Sequence, residues 1–307
     1  MDERTDLRSL IDPGAAGDCF AVDGLPPFDP ADCAHWSRAN ALWLSECCRL
    51  IYRQDAASRR ACLAGVGLQE RAFFDDGATQ GALVAGPGFA ILVFRGTLGL
   101  RDWLYNLDAA AVRWEGPGRI HRGFAAQLRR CWERIRAELR PLQVPLFVTG
   151  HSLGGALATL ATAYCLISDL PRPAAVYTFG APRAGTRGLR DLLAAGPPLW
   201  RVENGQDVVP SVPAQGPIAG LPSWRHAGTG VHLHAGGRLE FESKGSSAPP
   251  VGVSGWLSDA FAAFAAPHLP AFLTDHAPVN YTARLERSAP AAAPVPLPAG
   301  SSPDQVR

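Results

Sequence analysis

No surplus of charge of either sign marks this chain. Its 29 basic and 28 acidic residues nearly cancel, so no global field steers it towards nucleic acid or an anionic membrane. The longest apolar run, Gly154 to Ile167, is too short to cross a bilayer and reads as a buried helix. The first residues, Met1 to Asp6, are charged and lack the apolar stretch of a secretory leader. Cysteine is sparse: there are 7, at positions 19, 33, 47, 48, 62, 131 and 165. The odd number and the absence of C-x-x-C spacing argue against a zinc site or a complete disulfide framework. The adjacent Cys47 and Cys48 read as small core fillers. A reducing cytoplasm fits this usage, although a mature secreted chain would read the same way. No internal repeat is apparent.

What is present is a large apolar complement, 47% of 307 residues, enough for one sizeable core. Helical spacing runs from about Ala34 to Arg53 through Trp36, Leu42, Trp43, Cys47, Leu50 and Ile51. Strands follow between Ala82 and Phe94, ending in the wholly apolar Phe89 to Phe94, as a parallel sheet covered on both faces requires. An amphipathic helix spans Phe124 to Leu139, and short strands are expected at Leu146–Thr149, Ala174–Phe179 and Leu199–Glu203. This alternation predicts an α/β fold with a mostly parallel central sheet and helices on both faces.

The run Gly150-His151-Ser152-Leu153-Gly154 follows one of these strands and opens a small-residue helix. It is a G-x-S-x-G elbow, a turn so sharp that side chains two before and two after the serine would collide with it. Ser152 then stands at a helix N-terminus, where amides favour developing negative charge. A serine nucleophile needs a base, an orienting acid and an oxyanion site. On sheets of this kind they follow in the order serine, acid, histidine. Asp207, after the strand that ends near Glu203, is the acid candidate; its bland role is to stabilise a turn. Asp169 and Asp191 read as helix caps. The base is sought among His226, His232, His234, His268 and His276, with His276 on a late loop preferred and His226 its chief rival. His151 reads as a support for the turn. Leu153 N–H and Thr97, directly after the apolar strand, are the oxyanion donors.

These residues resemble the class 3 lipases, the fungal-type triacylglycerol lipase family of α/β hydrolases. The resemblance rests on Phe94-Arg95-Gly96-Thr97, Asp102 to Leu107, His121-Arg122-Gly123-Phe124, Gly150 to Gly155, Thr178 to Arg183, Asn204 to Pro210 and Asp275-His276 with Tyr281. It covers about Ala34 to Leu285 and implies an α/β-hydrolase fold with Ser152, Asp207 and His276 as triad. Thr97 and Leu153 would form the oxyanion hole. The family's lid would fall on Leu98, Leu100, Trp103 and Leu104, either as a moving cover or as a fixed helix. Arg95 and Arg183 read as structural. The expected organisation is an irregular segment at 1–33, one hydrolase domain at 34–286 and an Ala/Pro/Ser-rich tail at 287–307. Residues 237–270 depart from the fungal pattern, either as a cap insertion or as helix packing.

The resemblance implies hydrolysis of carboxylic lipid esters through an acyl-enzyme, with no cofactor and no metal. The substrate would be a lipid or other ester, reached through transient contact with a lipid interface and without a transmembrane segment. A phospholipase A1 or galactolipase, or an acyltransferase, would use the same triad. A non-catalytic binding module on this fold would be expected to lack one of its members.

Overall fold

The computed structural model describes residues 3–6, 10–21, 24–99, 110–214, 222–242 and 270–288. Two helices come first, α1 (Arg38–Leu50) and α2 (Ala56–Ala64), each opened by a side-chain cap. Ser37 accepts a hydrogen bond from Asn40 N, and Asp55 accepts one from Ser58 N. Strands β1 (Gln69–Asp75), β2 (Gln80–Gly86) and β3 (Phe89–Phe94) then form an antiparallel meander. Further on come β6 (Leu146–His151), β7 (Ala175–Phe179), β9 (Leu199–Asn204) and β11 (Thr229–Leu233). They extend β3 in parallel, and β12 (Leu239–Phe241) closes the edge antiparallel to β11. The sheet order is β1-β2-β3-β6-β7-β9-β11-β12.

All six residues of β3 are buried because both of its faces are covered. Leu92, with Val148 and Val176, meets α3 (Arg122–Leu139) and α4 (Leu153–Leu166) on one side. Ile91 and Val93 meet α1 on the other, with Tyr281 and Leu285 of α7 (Pro278–Arg287) in the same cluster. In α3, Phe124, Leu128, Cys131, Trp132, Ile135 and Leu139 recur on one buried face, and the arginines take the other. The α4 helix is buried almost all round, as its composition of Leu, Ala and Gly predicts. Two shorter helices, α5 (Arg187–Ala194) and α6 (Ala271–Thr274), complete the set.

The expected α/β architecture, with its mostly parallel sheet, is present. The residue pattern picks out no strand at 69–75 or 229–233, both of which pair in the sheet. It also misses a small second sheet of two-residue strands, β10-β8-β5-β4 (Trp224–Arg225, Gly185–Thr186, Ile120–His121, Ala111–Val112). Segments that short carry no readable period. Asp191 lies inside α5, paired with Arg187 and Arg190, and Asp169 pairs with Arg140. Neither caps a helix start; both belong to surface ion pairs. Of the stretch 237–270, the described residues include β12, which joins the sheet, while 243–269 lie outside the described residues. The tail from 289 onward lies outside them too. Among the described residues no helix is long and apolar enough to cross a membrane.

One consequence of the topology prepares the site. The parallel strands end at one rim, with Phe94, His151, Phe179 and Asn204 closing β3, β6, β7 and β9. Ligands of open α/β sheets gather at this carboxyl edge.

Candidate active site

Ser152 is the turn between β6 and α4, with φ 58° and ψ −130°. Phe20 is the only other non-glycine residue at positive φ among the described residues. Holding a serine there costs about 1–3 kcal/mol. The surroundings enforce it. A side chain at Gly150 would strike the Gly154 carbonyl, and one at Gly154 would strike the carbonyl of Phe94. Ser152 N donates to Phe179 O at 2.8 Å, tying the elbow to the end of β7. The Ser152 side chain is buried, and its Oγ has no hydrogen-bond partner.

Asp207 stands beyond β9 after a turn through Gly205, whose φ is 49°. Its two carboxylate oxygens divide the work. Oδ1 accepts from Val209 N at 2.9 Å, the turn-stabilising bond expected of an aspartate here. Oδ2 accepts from His276 Nδ1 at 2.8 Å and from the Tyr281 hydroxyl at 2.6 Å. His276 therefore carries its proton on Nδ1, and the Nε2 lone pair faces no partner. An unpartnered hydroxyl and an unpartnered imidazole nitrogen are thus both buried at one rim.

His151 joins these two halves. Its ring lies over that of His276, centroids 4.6 Å apart. His151 Nε2 lies 2.7 Å from the His276 carbonyl, which only accepts, so Nε2 carries the hydrogen. Nδ1 is then the acceptor for the Tyr52 hydroxyl at 2.9 Å. Burial, then the neighbouring His276, push the His151 pKa well below the ordinary histidine value, so this ring stays neutral. Burial likewise raises the Tyr52 and Tyr281 phenols and keeps them protonated donors.

A second clamp binds the two loops from outside. Asp275 Oδ2 accepts from Gln206 N at 2.7 Å, and its carbonyl accepts from Asn204 Nδ2 at 2.8 Å. Arg284 Nη2 reaches Asp275 Oδ1 at 2.5 Å, while its Nε reaches Glu3 at 3.0 Å. Gly180, at φ 58°, lies inside this assembly. An added Cβ there would sit 2.6 Å from Asp207 Oδ2 and 3.0 Å from His276 Nδ1.

The oxyanion candidates stand beside the elbow. A side chain at Gly96 would meet the Tyr52 hydroxyl and, at 3.0 Å, Ser152 Cβ, so the chain at Gly96 passes directly against Ser152. Thr97 Oγ1 accepts from Gly99 N at 3.2 Å, which leaves its own proton to donate. Leu153 opens α4 immediately after Ser152. Of the expected lid, Leu98 is 45% exposed, and Leu100, Trp103 and Leu104 lie outside the described residues. Arg95 bonds Gln80 and the Gly96 carbonyl, and Arg183 bonds the Ser211 and Pro213 carbonyls.

The rival histidines sit elsewhere. His226 Nε2 bonds the Pro210 carbonyl at 2.7 Å, and burial beside Arg201 and Arg183 pushes its pKa well down. His234 pairs with Glu240, and its ring contacts that of His232 at the sheet edge. His268 lies outside the described residues. Among the described residues no group of three histidine, cysteine or acidic side chains is placed to hold a metal. Sequence reasoning missed Tyr52 altogether, and it noted Tyr281 and Asp275 without their hydrogen bonds. A buried-position tyrosine at the end of a core helix was the available signal for Tyr52.

Residues 91–216 match the family described as Lipase (class 3). The matched stretch resembles that family and includes Thr97, Ser152 and Asp207, while His276 lies beyond it. Among its relatives is the secreted mono- and diacylglycerol lipase 1 of Fusarium solani, 32% identical over 40% of this chain and 39% of that protein. Another is phospholipase A1-II 4 of Oryza sativa subsp. japonica, 30% identical over 44% of this chain and 43% of that protein. The chain therefore spans less than half the length of these relatives. Lipase II from Rhizopus niveus shares the fold, with a TM-score of 0.57 at 21% identity over 72% of this chain and 92% of that one. The lipase from Rhizopus microsporus var. chinensis does so at 0.57 and 20%, over 73% and 89%.

Proposed function

We propose that this protein is a class 3 lipase-type enzyme that hydrolyses carboxylic esters of lipids through an acyl-enzyme on Ser152. One observation carries the reading: His276 is fixed by Asp207 through Nδ1, with its Nε2 and the Ser152 hydroxyl both buried and unpartnered. In the first step Ser152 Oγ attacks the ester carbonyl while its proton passes to His276 Nε2. Asp207 holds the tautomer and stabilises the imidazolium. Leu153 N–H and Thr97 receive the charge that develops on the carbonyl oxygen. The imidazolium then protonates the departing alcohol. Water, activated by the same nitrogen, releases the fatty acid and restores the serine.

The test is Ser152→Ala assayed on short- and long-chain glycerides. Turnover is expected to fall by about 10⁴-fold or more with the circular dichroism spectrum unchanged. Near-normal hydrolysis by that variant would exclude the mechanism. A phospholipid ester is the second substrate reading, supported by relatives named as phospholipases A1. Parallel rates on triacylglycerol and phosphatidylcholine dispersions separate the two. Adding an alcohol acceptor and measuring ester exchange distinguishes acyl transfer from hydrolysis. A rate that jumps at the substrate's solubility limit would assign the 98–104 segment to a moving lid.

A further inference from the structure

We infer that Cys19 and Cys62 are a disulfide-forming pair, a covalent modification site that staples the segment before α1 to α2. The thiols come from distant parts of the chain and converge on one turn, the 3-10 helix Ala16–Asp18. Cys19 Sγ lies 3.8 Å from the Ala15 carbonyl, and Cys62 Sγ lies 3.5 Å from that of Ala16. The two thiols are near enough to act on each other electrostatically. Both are free and half-buried, within reach of a small reagent, whereas Cys47, Cys48, Cys131 and Cys165 are buried.

The pair closes by thiol–disulfide exchange. One cysteine, as its thiolate, displaces one thiol from a small-molecule disulfide and forms a mixed disulfide. The other, having given up its proton, attacks that cysteine's sulfur and expels the second thiol. One protein S–S bond forms, two S–H protons leave the protein, and the reagent is reduced to two thiols.

The place of the staple gives it a purpose. Residues 13–20 cover a fully buried ion pair, Glu46 with Arg49, at 2.6 Å. Arg49 donates to the carbonyls of Pro13 and Asp18 at 2.8 and 2.5 Å, and Glu46 accepts from Phe20 N at 2.8 Å. Arg53 adds a bond to the Gly14 carbonyl at 2.7 Å. If the segment lifted away, the pair would lose these partners. Closing a loop of roughly 40 residues restricts the opened chain and holds the cover down. The same helix α1 leads directly into Tyr52, the residue that touches His151.

The test equilibrates the purified full chain with oxidised or reduced glutathione, then alkylates and maps peptides without reduction. The oxidised sample is expected to yield a Cys19–Cys62 linked peptide and to melt about 5 °C or more above the reduced one. In Cys62→Ser both the link and the melting difference vanish, with ester hydrolysis unchanged. Cys19→Ser should do the same. Recovery of both cysteines alkylated, or each capped singly by glutathione, would overturn the inference. Because mapping reads no turnover, its outcome is separate from that of the hydrolase proposal.

Discussion

The two sides of the candidate active-site rim are held by different kinds of force. On the serine side the geometry is local: a five-residue turn, glycines that admit no side chain, and a backbone bond from Ser152 N to Phe179 O. On the acid–base side nothing is local. Asp207 and His276 come from separate loops, and they are held by Tyr281, Asp275, Asn204, Arg284 and Glu3. A turn fixed by backbone sterics has no neighbouring arrangement to slip into. A clamp built of side chains yields bond by bond, so damage to it should be graded.

That contrast can be broken most severely at Gly180, where the two sides meet. Gly180→Ala forces a side chain at positive φ against Asp207 Oδ2 and His276 Nδ1. The expected loss in kcat/KM is about 100-fold or more, roughly 2.7 kcal/mol of barrier. A variant with near-wild-type kinetics would show that the acid–base side tolerates displacement. Next comes Asp275→Asn, which removes the charge facing Arg284 while keeping an acceptor for Gln206 N. It should destabilise the fold by about 2 kcal/mol in urea titration and lower kcat with little change in KM. A variant as stable and as active as the wild type would remove Asp275 from the clamp.

Acid sharpens the comparison further, because His151 bridges the two sides. Its folded pKa lies well below that of the unfolded chain. The stability it contributes is complete above about pH 6.5 and is lost as pH falls below that value, since only the unfolded chain then takes the proton. The loss from this residue totals about 1.4 kcal/mol between pH 7.5 and 5.5 and steepens towards about 1.4 kcal/mol per pH unit below that, read from urea midpoints. Stability that stayed flat over this range would mean that neither His151 nor His226, pushed down in the same way, stays neutral in the fold. The smallest effect is expected from Tyr52→Phe, which removes the donor to His151 Nδ1. It should cost about 1 kcal/mol and lower turnover a few-fold. An unchanged enzyme would remove Tyr52 from the assembly.

The same contrast explains what could be read from the residues. Gly150, Ser152 and Gly154 announce their turn because the steric rule acts over five positions. β3 announces a two-sided burial by being apolar at every residue. Chain order pointed to Asp207 among the acids, and a late loop to His276 among the five histidines that follow it. The bonds that hold them were not legible, because Glu3, Tyr52, Asp275, Tyr281 and Arg284 carry no motif of their own. Each acquires meaning only when distant segments meet. β11 escaped notice for a related reason, since Gly230 and His232 interrupt its apolar pattern although the sheet takes the strand in parallel beside β9. The caps foreseen at Asp169 and Asp191 failed because neither stands at a helix start: Asp191 lies inside α5 and Asp169 beyond the end of α4, where surface arginines pair with them.

The pairing of Phe94 with Gly150, and of His151 with Phe179, has a practical corollary. Ser152 and the loop beside it inherit their relative height from the ladder between adjacent strands. A slip by a single step would flip the inward and outward rows of β3 and drag Thr97 out of line with Ser152. Turnover therefore doubles as a gauge of strand alignment. During refolding, the first appearance of ester cleavage would time the moment at which the middle of the sheet locks.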